Sequence, residues 1–171
     1  MIATLLAFGL AVANRTVLPS PDLGKANAAC RPGETGPAFR VEVVGLHDRA
    51  GLLKLELYPA NDEDFLADDT VLIAAGKVFR RVEVRTPQNG PAVLCIRAPG
   101  PGRYALSLLH DRDGNHRFNI SGDGVGFAGN PRLGWGKPKA ASASAMVAQG
   151  VAAVRIVLNY RHGFSFRPDG Q

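Results

Sequence analysis

The sequence predicts an all-β fold, a two-sheet antiparallel β-sandwich (immunoglobulin-like or prealbumin-like) of about seven strands with one long polar loop. Three observations carry this. Apolar residues recur with period two in several short runs, the pattern of strands buried on one face. Turn-forming residues, 20 Gly and 12 Pro in 171, punctuate those runs. No helical pattern is long enough for a βαβ crossover, which leaves antiparallel pairing.

The elements follow in order. After a lead-in rich in Pro and Gly at residues 31–37, Phe39, Val41 and Val43 alternate with Arg40 and Glu42. Leu53, Leu55 and Leu57 alternate with Lys54 and Glu56, and the short polar break at 47–51 predicts a hairpin joining the two runs. Residues 61–66 (NDEDFL) form a capped helical turn, with acids at the end where peptide dipoles favour negative charge. Val78, Val82 and Val84 form one face of a third strand. PQNGP (87–91) turns the chain into a strand over 93–96, and PGPG (99–102) turns it into another carrying Tyr104, Leu106 and Leu108. A segment at 143–148 and a closing strand with Val154, Ile156, Leu158 and Tyr160 on one side complete the set. A chain of this length suits one core and one domain.

The expected organisation is a signal peptide over 1–28, an extension over 29–37, the sandwich over 38–162 and a tail over 163–171. Residues 5–13 (LLAFGLAVA) have the length of a signal-peptide core and are too short to span a bilayer. Ala26-Asn27-Ala28 places small residues three and one before a cut at Ala29. Fifteen residues separate that cut from the core, and no basic residue precedes the core. Ala11-Val12-Ala13 is an alternative site directly after the core, and an upstream start codon would supply the basic residues. Asn27 stands three before Cys30, where a lipoprotein signal needs a bulky aliphatic, so lipidation is not expected. The mature chain is expected in the periplasm or outside the cell, without a transmembrane span. In that oxidising space Cys30 and Cys95, the only cysteines, are expected to form a disulfide; the alternative is a core Cys95 and a mobile Cys30 thiol.

The formal charge is +5, but the basic residues are dispersed and aromatics make up 7% of the chain. A surface that tracks phosphates and stacks bases needs more of both, so no nucleic acid is expected as partner.

Residues 111–141 break the strand rhythm, and a loop that long in a compact domain is usually functional. Asp111, Asp113, Asn115, Asn119 and Asp123 place side-chain oxygens at the spacing by which a loop wraps calcium, the one cofactor expected. His116 stands where the sharp-turn Gly of such a loop belongs, and Gly122 stands where its bidentate Glu would be. The alternative is a set of Asx-turns that satisfy backbone amides without metal.

Tyr104-Ala105-Leu106 leading into His110-Asp111, then Gly124-Val125-Gly126-Phe127 followed by Asn130, then the closing strand at 154–160, together resemble the bacterial family known as domain of unknown function 2141. The resemblance spans about residues 38–160. It implies an exported β-sandwich with no established activity. Its members usually carry Gly at the position of His116 and Asp at that of Asn119.

No catalytic constellation emerges. His47, His110, His116 and His162 lack zinc-site spacing, and Ser142 and Ser144 lie in an Ala/Ser tract with no nucleophile elbow. An enzymatic alternative, a small hydrolase, would use the loop carboxylates as a pair or the histidines. It would otherwise use Asn159-Tyr160-Arg161-His162-Gly163, which is similar to the Tyr-Arg-Gly-Ser ending of transthyretin-like 5-hydroxyisourate hydrolases but carries an inserted His162 and a further tail. His110, Phe127 and Trp135 are the candidate binding residues, with Trp135 either a sugar-stacking platform or an apolar plug over one end of the sandwich. The expected function is a non-enzymatic envelope or secreted module that binds an envelope protein or polysaccharide through the 111–141 loop. A purely structural accessory domain is the further alternative.

Overall fold

The computed structural model describes residues 22–169; the expected signal core at 5–13 lies outside them. The strands are β1 (Ala38–Val44), β2 (Leu52–Pro59), β3 (Arg80–Arg85), β4 (Ala92–Arg97), β5 (Gly102–Asp111), β6 (Gly124–Phe127), β7 (Ser144–Val147), β8 (Val151–Val157), β9 (Tyr160–His162) and β10 (Ser165–Arg167). One short helix, α1 (Asp69–Ala74), and a 3-10 turn at Ala140–Ala143 interrupt them.

One sheet has the order β4-β1-β8 and the other β3-β2-β5-β6, with β7 continuing beside β5. β9 and β10 form a small separate hairpin. The sandwich is therefore as expected, with ten strands among the described residues instead of about seven. All pairs are antiparallel except β1 with β8.

The hairpin expected between β1 and β2 does not form, because the two strands lie in different sheets. Strict apolar alternation is the same for paired neighbours and for strands that face each other across a core. Here Phe39, Val41 and Val43 oppose Leu53, Leu55 and Leu57, joined in one core by Leu94, Ile96, Leu106, Leu108, Ile156 and Leu158. The disulfide Cys30–Cys95 forms, with Cα atoms 5.4 Å apart. Cys95 lies between the inward-facing Leu94 and Ile96 and is only half-buried.

The second sheet is covered on its outer face as well. Tyr58, Phe65, Leu72, Phe79, Ala105, Phe127, Ala140 and Ala143 form a second apolar cluster there. Tyr58 meets Phe65 and Phe79 edge to face, with centroids 5.7 and 5.3 Å apart. Residues 61–66 make the expected capped turn, in which the Asn61 side chain accepts from the Asp64 amide and the Asn61 carbonyl accepts from the Phe65 amide. The helix α1 was not expected, since six residues are too few to show a period. Its start is capped by Asp68, which accepts from the Thr70 amide at 2.9 Å.

The polar loop is not structureless throughout. β6 lies inside it and pairs with the second half of β5. Gly124 and Gly126 lie in the stretch expected to be loop, yet they are glycines because the core approaches so closely. A Cβ at Gly126 would stand 2.6 Å from Ile156 Cγ2, and one at Gly124 would meet the Tyr160 ring. Asn130 then stands in for a strand, accepting from the Val157 amide at 2.7 Å and donating to the Arg155 carbonyl at 3.0 Å.

Candidate functional site

Along β5, alternation sends Leu106, Leu108 and His110 into the sandwich and Ser107, Leu109 and Asp111 to the opposite, outer face. Asp111 is fully buried where the loop begins. Its Oδ1 accepts from the amides of Gly114 and Asn115 at 2.9 and 3.2 Å, and its Oδ2 from that of His116 at 2.7 Å. Asp123, also buried, accepts from the amides of Arg112 and Asn119 at 3.0 and 2.7 Å. The exposed Asp113 accepts from Asn115, at its amide and its side chain. Ligand atoms of these three aspartates lie within 4.8 Å of one another.

Burial pushes the Asp111 carboxyl above its ordinary range, and Asp113 and Asp123 push it further, against the pull of the His116 and Asn115 amides. An oxygen-only cluster of this kind matches a hard cation such as calcium. Asn115 and Asn119 are not turned toward it, since their Oδ1 atoms accept from the amides of Arg117 and Ser121. His116 takes φ 65°, the left-handed turn for which Gly is the ordinary residue, so the position keeps the turn of a calcium loop despite its side chain. Its imidazole is tied to Glu83 at 3.0 Å.

Beside this cluster the outer face of the second sheet forms a groove of about 320 Å³. Lys54 and Glu56 of β2, Ser107 and Leu109 of β5, and Val125 and Phe127 of β6 form its floor, while the chain beyond supplies walls at Leu66, Phe118, Ile120, Leu133, Trp135 and Phe166. Trp135 is 59% exposed and Phe118 49%, so the walls are apolar surfaces open to solvent. Trp135 is thus part of a groove wall, against Phe166 at 5.8 Å, and not a plug over an end of the sandwich.

The polar side chains in the groove already have partners. Glu56 accepts from Arg81 Nε at 2.8 Å, from the Tyr58 hydroxyl at 2.7 Å and from Ser107 at 3.4 Å. Burial and the Glu56 carboxylate hold the Tyr58 phenol far above its ordinary pKa, so it stays a donor. Lys54 donates to the His116 carbonyl, and Lys137 to the carbonyls of Asp62 and Phe65.

Of the expected binding residues, Phe127 and Trp135 line the groove and His110 does not. His110 is wholly inside the sandwich, between the Tyr160 hydroxyl at 2.7 Å and the Ala50 carbonyl at 3.0 Å. The Tyr160 oxygen accepts from the His47 amide, so its own hydrogen goes to His110 Nδ1 and Nε2–H faces the carbonyl. Burial lowers the imidazole's pKa and keeps this neutral form. None of the three loop aspartates and none of the histidines lines the groove. Sequence reading missed Leu66, Phe118, Ile120, Leu133 and Phe166. The period-two pair Phe118 and Ile120, set in polar surroundings, was the one available signal.

No curated protein and no solved structure matches the chain. Residues 41–155, well over half of the sequence, match the family described as uncharacterized protein conserved in bacteria (DUF2141). This match turns the resemblance read from three short blocks into membership: the chain belongs to this bacterial family.

Proposed function

We propose that this chain is an exported, non-enzymatic binding module that takes apolar side chains of an envelope or secreted partner protein into the groove walled by Phe118, Ile120 and Trp135. The observation that carries the reading is how the groove wall is held. Asp111 and Asp123 pin both ends of the 111–123 turn, and Phe118 and Ile120 project from that turn into the groove. Calcium shared by Asp111, Asp113 and Asp123 would neutralise the cluster and fix the wall, so the cation acts as an ordering ligand of the binding surface. A protein partner is favoured over a polysaccharide because Lys54, Glu56, Ser107 and Lys137 already have hydrogen-bond partners, whereas sugar hydroxyls need donors and acceptors of their own. Export is supported by the apolar run at 5–13 and by the Cys30–Cys95 disulfide, and no described helix is long and apolar enough to cross a membrane.

Selection of a displayed peptide library against the domain in calcium tests this. The expected result is enrichment of peptides with aromatic or aliphatic anchors whose binding falls at least tenfold in Trp135→Ala and Phe118→Ala, with both variants folded. Absence of such peptides, together with binding to an array of envelope polysaccharides, would overturn the reading.

A further inference from the structure

The segment before the first strand is built into the fold. Residues 22–29 run across the side of the sandwich where each sheet ends, β4 in one and β3 in the other. On β4, Ala29 bridges Ile96 and the Ala28 carbonyl accepts from the Arg97 amide at 2.7 Å. On β3, the Gly24 carbonyl accepts from the Arg81 amide at 2.9 Å. Lys25 pairs with Glu83 at 3.3 Å. Leu23 is buried, and Ala28 is fully buried as a member of the main core. Gly24 takes φ 73° and lies so close to the Phe79 ring that a Cβ there would stand 2.7 Å from Cδ1. The strap therefore satisfies amides on two edge strands and covers edges that would otherwise offer templates for pairing between chains.

A signal-peptidase cut after Ala28, the position that the Ala26-Asn27-Ala28 triplet suggests, would remove Leu23, Gly24, Lys25 and Ala28 together. Gly24-Lys25-Ala26 also has small residues three and one before a cut, and that cut would likewise remove Leu23, Gly24 and Lys25. Upstream, residues 14–22 (NRTVLPSPD) contain no position with small residues at both places. The next triplet upstream, Ala11-Val12-Ala13, closes the apolar core, so a cut after it falls at the core's end. We propose that the exported chain keeps residues 22–28 as a structural strap and that signal peptidase cuts after Ala13, leaving Asn14 as the mature N-terminus. This rests on the export reading above.

The test is the intact mass of the full chain, expressed with its own leader in a bacterium and recovered from periplasm and cytoplasm. The expected periplasmic species begins at Asn14. Ala13→Gln should abolish it and leave precursor, while Ala26→Gln, at an exposed position, should change nothing but the mass of one residue. A mature chain beginning at Ala29, blocked by Ala26→Gln, would overturn the proposal and leave export intact. Uncut chain confined to the cytoplasm would overturn both.

Discussion

Asp113 is the sharpest probe of the loop. Calcium-binding modules that work outside the cell have dissociation constants of about 0.1–1 mM, so about 10 mM calcium is a 10- to 100-fold excess. Ligand linkage then stabilises the folded state by about 1.4–2.7 kcal/mol. For a domain of this size that raises the melting temperature by about 3–10 °C. Asp111→Ala cannot isolate this effect: three amides lose their acceptor, which costs about 1–3 kcal/mol with or without the ion. Asp113 is exposed, and its carboxylate accepts from the Asn115 amide and side chain. A hydrogen bond between the Asp113 and Asp111 side chains also favours the protonated form of the Asp111 carboxyl. In chelator, Asp113→Ala should therefore stay within about 0.5 kcal/mol of the parent chain. In calcium it should lose the whole calcium-dependent rise. The assay is thermal unfolding followed by circular dichroism, in chelator, calcium and magnesium, for both chains. Equal melting temperatures of the parent chain in calcium and chelator, or a full calcium rise in Asp113→Ala, would refute the reasoning.

Three further outcomes are expected. Gly126→Ala forces a methyl against Ile156 and the Val157 carbonyl, and should cost about 1–3 kcal/mol in urea unfolding; a neutral result would mean that β6 can move away from β8. Burial keeps His110 neutral in the fold, so below about pH 6.5 the unfolded chain binds the extra proton and stability present above that pH is lost on acidification, by up to about 1.4 kcal/mol per pH unit. His110→Gln should show a smaller loss between pH 7.5 and 5.5, and an equal loss in both chains would assign the effect to other groups. A chain starting at Ala29 should be less stable than one starting at Asp22 by about 2–4 kcal/mol in urea, from exposure of the Leu23 and Ala28 sites; equal midpoints would make the strap ornamental.

Much of the molecule was legible from local pattern alone. Period-two apolar runs located β1, β2, β4 and β5 to within a few residues, because alternation follows directly from strand geometry. The aspartates of the turn were legible because their spacing reflects how one short loop folds on itself. Which strands share a sheet was not legible, since β1 and β2 carry identical alternation whether they pair or face each other across a core. β6 was hidden for a related reason: Gly124 and Gly126 owe their identity to Tyr160, Ile156 and Val157, residues some thirty positions away. The groove likewise depends on tertiary placement, gathering Leu66, Phe118, Trp135 and Phe166 from four separate segments onto one sheet face. Local sequence thus determined the long alternating strands β1, β2, β4 and β5, the turn chemistry and the cysteine pair available for bonding. Only the tertiary structure decided sheet membership, the buried role of His110 and the apolar surface beside the carboxylates, because each depends on what packs against a residue rather than on what adjoins it in the chain.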